Sequence, residues 1–491
     1  MSGSDGYQLN KDYDISGAPS APKVIKFGCV IFDDEKNPSS GWVSVNGDKA
    51  RRIDGVNQLP TDAIYWSNIT YESFRLTGID RNPWLRHDAY LVTKPVDVLL
   101  EWGHDPASTP PDYMASFCST MFNRIMTMVF KLALECDPKI KPATLFSGDT
   151  LRTDIRHLLP SLDYPKGEAA SIVKQGHAFT EFTKTSMRGM KGSKLLMLRR
   201  PRLAYALEIL TTPVPKGAFT FVGQRELRAL TDNRVKWVNG LNRPCMAEIT
   251  IEEMQSDIAP IYGFGNSTDR EKKIQRSWVA HPEFIALSSI SSLEVRNVYL
   301  AETYSQLNRS LSPAISRFLS DNHGEASWSV GVIAETIWRS ICMAPPKGRG
   351  HQPGDERAGT SWQGAWYRAA DKVSGFLSAS RLADLGYSIA SYGYGWVRAS
   401  ISEDQIQDFI RDGLSIGLFP RLSDVGANPY NEGGSMVWGG DKKSRIMAQL
   451  TVMNQKNMLW NLDQLPLYDQ QQREGVLKKL IETRKSPGAQ R

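Results

Sequence analysis

A stretch of apolar residues at helical spacing, beginning near residue 109, constrains the fold more than any other feature of the sequence. Thr109 suits the N-cap, Pro110 suits the first helical position, and the charge of Asp112 suits the first turn. The apolar residues that follow at intervals of three and four are Phe117, Met121, Ile125, Met128 and Leu132. Because Phe122 and Val129 widen this apolar face, the sequence predicts a deeply buried helix within a large core.

The residues before this helix are predicted to contain β-structure. Apolar residues alternate at 25–31, at 42–45 and at 96–102, with the period of a half-buried strand. A stretch rich in Asp, Asn, Pro, Ser and Gly separates the first two runs, which predicts a hairpin with a long loop.

Helical patterns dominate the rest of the chain. They lie at 300–311, at 330–341, at 406–410 behind a capping box of Ser402 and Gln405, and at 476–481. Short β-like pieces interrupt them at 218–222 and at 247–251. The predicted fold is mainly α (α+β): a two-lobed helical body with a small β-containing N-terminal region and flexible arms.

Composition suggests where the chain divides. Seven of the seventeen residues from 344 to 360 are Gly or Pro, which predicts a mobile loop. The predicted organisation is a flexible N-terminal arm (1–22), a β-containing region (23–108), a helical main lobe (109–343), a mobile loop (344–361), a C-terminal helical lobe (362–485) and a tail (486–491).

No catalytic or metal-binding motif is found in the sequence. The five cysteines form no Cys-x-x-Cys pair, the seven histidines are scattered, and no phosphate-binding loop, nucleophile elbow or kinase loop occurs. Asp33 and Asp34 follow an apolar strand, as metal ligands of polymerases do, but they also begin a turn, and the turn is favoured. We therefore expect no enzyme activity, no cofactor, no metal and no catalytic residue.

The terminal and hydropathy patterns predict a location. No apolar run reaches the length of a membrane span, and the N-terminus shows no secretory signal. We expect a chain that is cytoplasmic or part of a virion, is not secreted and has no membrane partner.

A basic segment, residues 182–207, is the most informative charge feature. It contains seven Lys and Arg residues and no Asp or Glu, in a chain whose net charge is +6. The predicted nucleic-acid-binding residues are Lys184, Arg188, Lys191, Lys194, Arg199, Arg200 and Arg202, with Arg225 and Arg228 as lesser candidates. One interpretation is a cleft for a phosphate backbone, and the other is a solvated basic face. Arg200 and Arg202 flank Pro201 and could instead hold carboxylates such as Glu208.

Aromatic residues cluster in a second place, at Tyr387, Tyr392, Tyr394 and Trp396. Exposed aromatic rings on a glycine-rich backbone could stack on bases. The alternative is that these rings belong to the core or to an interface, and Trp362, Trp366 and Tyr367 are expected to lie in the core.

Together these features favour a self-assembling structural protein that binds and encapsidates RNA without sequence specificity. In organisation the chain resembles the nucleoproteins of negative-strand RNA viruses, which implies RNA in a basic groove between two lobes and a large homo-oligomer. No motif of that family is matched residue by residue. The alternatives are a viral capsid shell protein without a tight RNA groove, and a nuclease or effector subunit with a dispersed site.

Overall fold

The computed structural model describes residues 26–101, 108–141, 212–262, 275–305, 325–343, 361–393 and 395–420, shorter pieces within 145–209, and residues 106, 314 and 315. The described residues form two compact units. Unit 1 takes its described residues from 1–159 and 313–337, and unit 2 from 160–312 and 338–446.

Unit 1 is built on a five-stranded sheet of order β3-β2-β1-β4-β5, in which β4 and β5 run parallel to β1 and the other pairs are antiparallel. Its strands are β1 (Lys26–Phe32), β2 (Gly41–Val45), β3 (Arg51–Ile53), β4 (Ala63–Ser67) and β5 (Leu85–Arg86). Its helices are α1 (Tyr71–Leu76), α2 (Pro95–Glu101), α3 (Pro111–Cys136) and α4 (Leu151–Asp154), with 3₁₀ turns at Val56–Gln58 and Ile79–Arg81.

The central strand β1 is buried on both faces because helix α3 covers one face and an apolar cluster covers the other. Phe27 points toward α3, where its ring centroid lies 5.8 Å from that of Phe122. Val30 and Phe32 point the other way and pack with Tyr65 of β4. The predicted hairpin of β1 and β2 is confirmed, as is the buried helix α3.

Unit 2 contains an antiparallel four-stranded sheet of order β10-β9-β11-β8. Its strands are β8 (Val214–Val222), β9 (Cys245–Met254), β10 (Gln275–Ala280) and β11 (Ser291–Ser305). The associated helices are α5 (Gln224–Leu230), α6 (Arg234–Asn239), α7 (Ala259–Tyr262) and α8 (His281–Ile290). One face of the sheet packs on Leu227, Val238 and Phe284 of these helices.

Unit 2 also contains an antiparallel five-stranded sheet, the third sheet, of order β14-β7-β13-β12-β6. Its strands are β6 (Thr183–Lys184), β7 (Lys194–Arg199), β12 (Ser388–Gly393), β13 (Trp396–Ile401) and β14 (Phe419–Pro420). The remaining helices are α9 (Glu325–Met343), which begins in unit 1, α10 (Trp362–Asp384) and α11 (Ile406–Ser415), which follows a 3₁₀ turn at Glu403–Gln405.

The predicted mainly α fold is wrong, because three sheets lie among the described residues and the fold is mixed α/β. The helix expected at 300–311 is, as far as residue 305, the end of strand β11. Leu300 and Tyr304 are four residues apart, a spacing that fits a helix and also fits an alternating strand. Pairing with β8 and β9 selects the strand, and no local pattern reports those partners.

The strand expected at 96–102 is also wrong, because Pro95–Glu101 forms helix α2. Pro95 suits the first position of a helix, since it has no N–H to leave unsatisfied. Val98 and Leu99 are consecutive and both buried, which a half-buried strand would not allow.

Other predictions are confirmed or lie outside the described residues. The pieces at 218–222 and 247–251 are strand, and the helix at 330–341 is part of α9. Trp362, Trp366 and Tyr367 are buried, as expected. The N-terminal arm, the loop at 344–360, the helix at 476–481 and the tail fall outside the residues that the structure describes.

Candidate nucleic-acid interface

The third sheet brings together two parts of the chain that the sequence analysis treated separately. The basic segment supplies β6 and β7, and the aromatic cluster supplies β12 and β13, which form a hairpin. Lys184 of β6 lies opposite Ser391 of β12, and Arg199 of β7 lies opposite Trp396 of β13. The two basic strands therefore lie on either side of the aromatic hairpin.

One face of this sheet is closed by helices. Leu196 and Leu198 of β7 and Val397 of β13 are fully buried on it. Helix α11 approaches closely at Gly413, where a Cβ atom would stand 2.2 Å from Leu198 Cδ1. Helix α10 does the same at Gly375, where a Cβ atom would stand 3.0 Å from the Tyr392 ring.

The opposite face carries half-buried cationic and aromatic side chains. Directly opposed residues of an antiparallel pair share a face, so Arg199 and Trp396 lie on the same side. Arg398, two residues farther along β13, also lies there, and its guanidinium carbon is 5.2 Å from the centroid of the Trp396 ring. Arg199, Trp396 and Arg398 are each partly accessible. We call these three residues the cationic–aromatic face.

Arg200 lies in the interior and not on this face. Its side chain is 8% exposed, its Nη1 donates a hydrogen bond to Ser374 Oγ at 2.9 Å, and its Nη2 is 3.9 Å from Asp371 Oδ1. Its backbone N–H donates to the carbonyl oxygen of Gly395 at 2.6 Å, in the turn of the hairpin. Of the two alternatives for Arg200, the geometry favours contact with a carboxylate, although the partner is Asp371.

The other predicted binding residues are distributed more widely. Arg202 is buried. Lys184 and Lys194 are strand residues whose side chains lie outside the described part, and Arg188 and Lys191 lie outside it entirely. Arg225 and Arg228 are exposed on α5, beside the four-stranded sheet. Of the nine predicted residues, the described structure therefore places the side chain of Arg199 on the cationic–aromatic face.

Sequence reasoning missed Arg398. A signal was present, because residues 396–401 read Trp-Val-Arg-Ala-Ser-Ile, in which Trp396 and Arg398 alternate with buried residues. The tyrosines of the aromatic cluster behave differently from Trp396. Tyr387 and Tyr392 are buried, and the Tyr387 hydroxyl donates to Asp412 Oδ2 at 2.7 Å.

A polar cluster, formed by Lys372, Glu283 and Tyr262, joins α10 to α8 and α7; Glu283 is buried in it and the other two residues are half-buried. Lys372 Nζ is 2.5 Å from Glu283 Oε1 and 3.1 Å from the Tyr262 hydroxyl, which itself donates to Glu283. Burial acts to lower the pKa of Lys372, but the Glu283 carboxylate outweighs it, and the pKa lies above its ordinary value. For Tyr262, whose charged form is the anion, burial raises the pKa. The cluster fixes α10, on which the hairpin packs.

Asp33 and Asp34 serve the turn after β1. Asp33 accepts hydrogen bonds from Arg52 and Ser40, and Asp34 Oδ1 accepts from the Lys36 backbone N–H at 2.8 Å. The hydrogen bond from Arg52 holds the pKa of Asp33 below its usual value. Over the part of the chain that the structure describes, no group of three or more His, Cys, Asp and Glu side chains is arranged to hold a metal. None of the helices in that part is long and apolar enough to cross a membrane.

Comparison with known proteins gives matches among solved structures alone. No protein-family model and no curated protein matches the sequence. The chain is similar to Phi29 DNA polymerase in a post-translocation binary complex with primer-template DNA, with a TM-score of 0.45, 9% identity, and coverage of 78% of this chain and 82% of the other. The same polymerase in a ternary complex with primer-template DNA and incoming nucleotide matches with a TM-score of 0.42, 9% identity, and coverage of 79% of this chain and 82% of the other. Its complex with single-stranded DNA matches with a TM-score of 0.42, 9% identity, and coverage of 79% of this chain and 81% of the other.

This comparison corrects two predictions. The structures named above are those of a DNA polymerase, which is an enzyme, and none of them is a nucleoprotein or a capsid protein. The predictions of a self-assembling protein that encapsidates RNA, and of a chain that is not an enzyme, are therefore wrong by this comparison. The matched structures contain nucleic acid, which is consistent with the predicted nucleic-acid partner, whereas RNA and a homo-oligomer find no support there. A TM-score below 0.5 at 9% identity concerns the layout of the fold and assigns no residue and no reaction to this chain.

Proposed function

We propose that the chain binds nucleic acid through the cationic–aromatic face of the third sheet. The observation that carries the proposal is the strand register, which sets Arg199 opposite Trp396 and places Arg398 over the same indole ring. Two guanidinium groups beside a partly accessible aromatic ring can contact phosphates and bases together.

The charge of the third sheet supports this function. Its five strands contain four basic residues, Lys184, Lys194, Arg199 and Arg398, and no Asp or Glu. The strands of the neighbouring four-stranded sheet contain Glu248, Glu252, Glu253, Glu294 and Glu302. A phosphate backbone would therefore meet no carboxylate on the strands of the third sheet, whereas it would meet several on the other sheet.

The remaining basic residues extend the proposed interface. Lys184 and Lys194 belong to strands of the same sheet, and Arg188 and Lys191 lie in the connection between those strands. Lys184 is opposite Ser391, which is opposite Arg398, so it belongs to the same side of the sheet as the cationic–aromatic face, and we retain Lys184, Arg188 and Lys191 as proposed phosphate contacts. Lys194 alternates with Leu196 and Leu198 along β7 and belongs to the side that the helices close, so it is not retained. Arg200 is assigned to the interior because of its contacts with Ser374 and Asp371.

A salt titration with paired variants tests the proposal. Replacing Arg199 and Arg398 together by Ala removes two cations from the face. Arg225 and Arg228, the lesser candidates, lie on α5 and not on the third sheet, so the proposal does not include them. Replacing both by Ala removes the same charge away from the proposed face and serves as the matched control. Binding of fluorescent single-stranded DNA and RNA of equal length is measured by anisotropy over a range of salt concentrations, because phosphate contacts do not distinguish the two sugars.

The Arg199 and Arg398 double variant should weaken the binding of both single-stranded DNA and single-stranded RNA. It should also flatten the slope of log K against log salt by about 1.4, because each phosphate of a single strand that a cation neutralises contributes about 0.7 to that slope. The control variant should retain the wild-type slope. Equal reductions of affinity in the two variants, or an unchanged slope in the first, would contradict the proposal.

A further inference from the structure

We infer that Asn46 is a latent site of spontaneous deamidation, and that the packing of its turn against helix α3 suppresses the reaction in the folded chain. An Asn followed by a Gly is especially prone to deamidation, because the glycine has no side chain to hinder its own backbone nitrogen. The sequence contains two such pairs, Asn46-Gly47 and Asn239-Gly240. Asn46 belongs to unit 1 and the proposed nucleic-acid interface belongs to unit 2, so the two proposals are tested separately.

Asn46 and Gly47 are the two central residues of a tight turn that follows β2. Their φ angles are both positive, 53° and 84°, and the Asp48 backbone N–H donates to the carbonyl oxygen of Val45 at 2.9 Å. A turn with two successive positive φ values favours Asn-Gly above other pairs, which explains why this reactive pair stands here. Asn46 is exposed, so water reaches the turn.

Deamidation begins when the Gly47 backbone nitrogen attacks Cγ, the side-chain carbonyl carbon of Asn46. A bond forms between that nitrogen and Cγ, the bond from Cγ to Nδ2 breaks, and the proton of the Gly47 N–H leaves with Nδ2 as ammonia. Water then opens the resulting succinimide ring at one of its two carbonyl carbons. The product at position 46 is an aspartate or an isoaspartate, in which the main chain runs through the former side chain.

Two hydrogen bonds hold the reacting groups in the folded chain. The Gly47 N–H donates to Ser119 Oγ of α3 at 3.0 Å, and Asn46 Oδ1 accepts the Phe27 N–H of β1 at 3.2 Å. The nitrogen has to lose its proton and approach Cγ before it can attack, so the bond to Ser119 has to break first. The carboxamide likewise has to leave Phe27. The reaction therefore waits until the turn separates from the rest of unit 1.

Helix α3 also holds the residues on either side of the reacting bond. Ser116 Oγ donates to the Asp48 carbonyl oxygen at 3.1 Å and accepts the Ala50 N–H at 3.2 Å. A Cβ atom at Gly47 would stand 2.3 Å from Thr120 Oγ1, so the turn lies directly on the helix. An isoaspartate adds a main-chain atom to this turn and is incompatible with such close contact. Deamidation should therefore detach the turn from α3.

Peptide mapping by mass spectrometry tests the site in the full chain. The chain is incubated in mildly alkaline buffer, folded or in urea, and the conversion of each Asn-Gly pair to its acidic products is followed with time. In urea Asn46 should react readily. In the folded chain it should react at least about tenfold more slowly, the factor that corresponds to an opening that costs about 1.4 kcal/mol.

A variant of α3 tests the role of the hydrogen bond. Ser119→Ala removes the acceptor of the Gly47 N–H and should raise the rate at Asn46 about 2- to 10-fold, the change that corresponds to a hydrogen bond worth about 0.5–1.5 kcal/mol. Asn239 is the internal reference, because the N–H that follows it is bonded to helix α6, and its rate should not change. Ser67→Ala is the matched control.

The control distinguishes release of the turn from a general loss of stability. Ser67 is as buried as Ser119, belongs to the same unit and donates to a backbone carbonyl oxygen at 2.7 Å, but it does not touch the turn. Ser67→Ala should therefore leave the rate at Asn46 unchanged. Equal increases in both variants would overturn the role of the bond to Ser119.

Two results from the wild-type chain would also contradict the proposal. A chain in urea that does not react at Asn46 would overturn the site, and a folded chain that reacts as fast as the chain in urea would overturn the protection. Hydrogen exchange of the Gly47 N–H provides a measurement that needs no variant. Slow exchange in the folded chain is expected, and exchange as fast as in urea would overturn the protection.

Discussion

Replacing the buried Arg200 by Met should destabilise unit 2, although Arg200 belongs to the basic segment. The methionine keeps an unbranched apolar side chain but removes the hydrogen bond to Ser374 Oγ and the cation that lies 3.9 Å from the carboxylate of Asp371, a residue that is 4% exposed. Removing one partner of a buried charge pair typically costs about 3–5 kcal/mol. The Arg200–Asp371 distance is long for an ion pair, so we expect the lower end, about 3 kcal/mol.

Urea unfolding followed by circular dichroism measures this change in stability. Arg199→Met is the matched control, because Arg199 is the adjacent residue in the chain and lies on the accessible face, and it should cost less than about 1 kcal/mol. Asp371→Asn added to Arg200→Met should recover part of the stability, because the double variant no longer buries a carboxylate without its cation. An Arg200→Met variant that is as stable as wild type but binds nucleic acid poorly would refute the structural role and return Arg200 to the binding surface.

Two further predictions concern unit 1. Ile125→Ala should cost roughly 2–5 kcal/mol in denaturant melts, because Ile125 is fully buried on α3; a cost below about 1 kcal/mol would mean that this helix face is not packed. Burial raises the pKa of Asp154 from 3.8 to about 7, against the opposing hydrogen bond from Tyr90 and the nearby Arg86 charge, so the folded state favours the neutral carboxyl. The stability that this group contributes is full below about pH 4 and is lost as the pH rises to about 7, by about 4 kcal/mol in total. Asp154→Asn should flatten this part of the pH profile, and an unchanged profile would contradict the assignment.

Local patterns predicted the elements whose partners are near in sequence. The hairpin of β1 and β2 and the helix α3 follow from alternation and from helical spacing within about thirty residues. The strand β11 was missed because its neighbours β8 and β9 are distant in sequence and its apolar spacing also fits a helix. The strands of the third sheet were missed in the same way, because their partners are also distant in sequence. The predicted fold class was wrong because these strands were not found.

The candidate site was predicted in part. The acid-free segment pointed to Arg199, and the glycine-rich aromatic run pointed to Trp396. Nothing in the sequence showed that these two residues, about two hundred positions apart, lie side by side in one sheet. The charge pattern also could not separate Arg199 from Arg200, which are adjacent and point in opposite directions. That difference depends on strand register and on the position of α10, and both are properties of the folded chain.

Photo-crosslinking tests the central claim, that nucleic acid lies on the cationic–aromatic face, most directly. A single strand carrying a photoreactive thymine analogue is bound to the full chain, irradiated and digested, and the crosslinked peptides are identified by mass spectrometry. The proposed interface predicts crosslinks within β7 and β13, at Lys194–Arg199 and Trp396–Ile401, that disappear as salt is raised. Crosslinks confined to α5 or to unit 1, with none on these two strands, would contradict it.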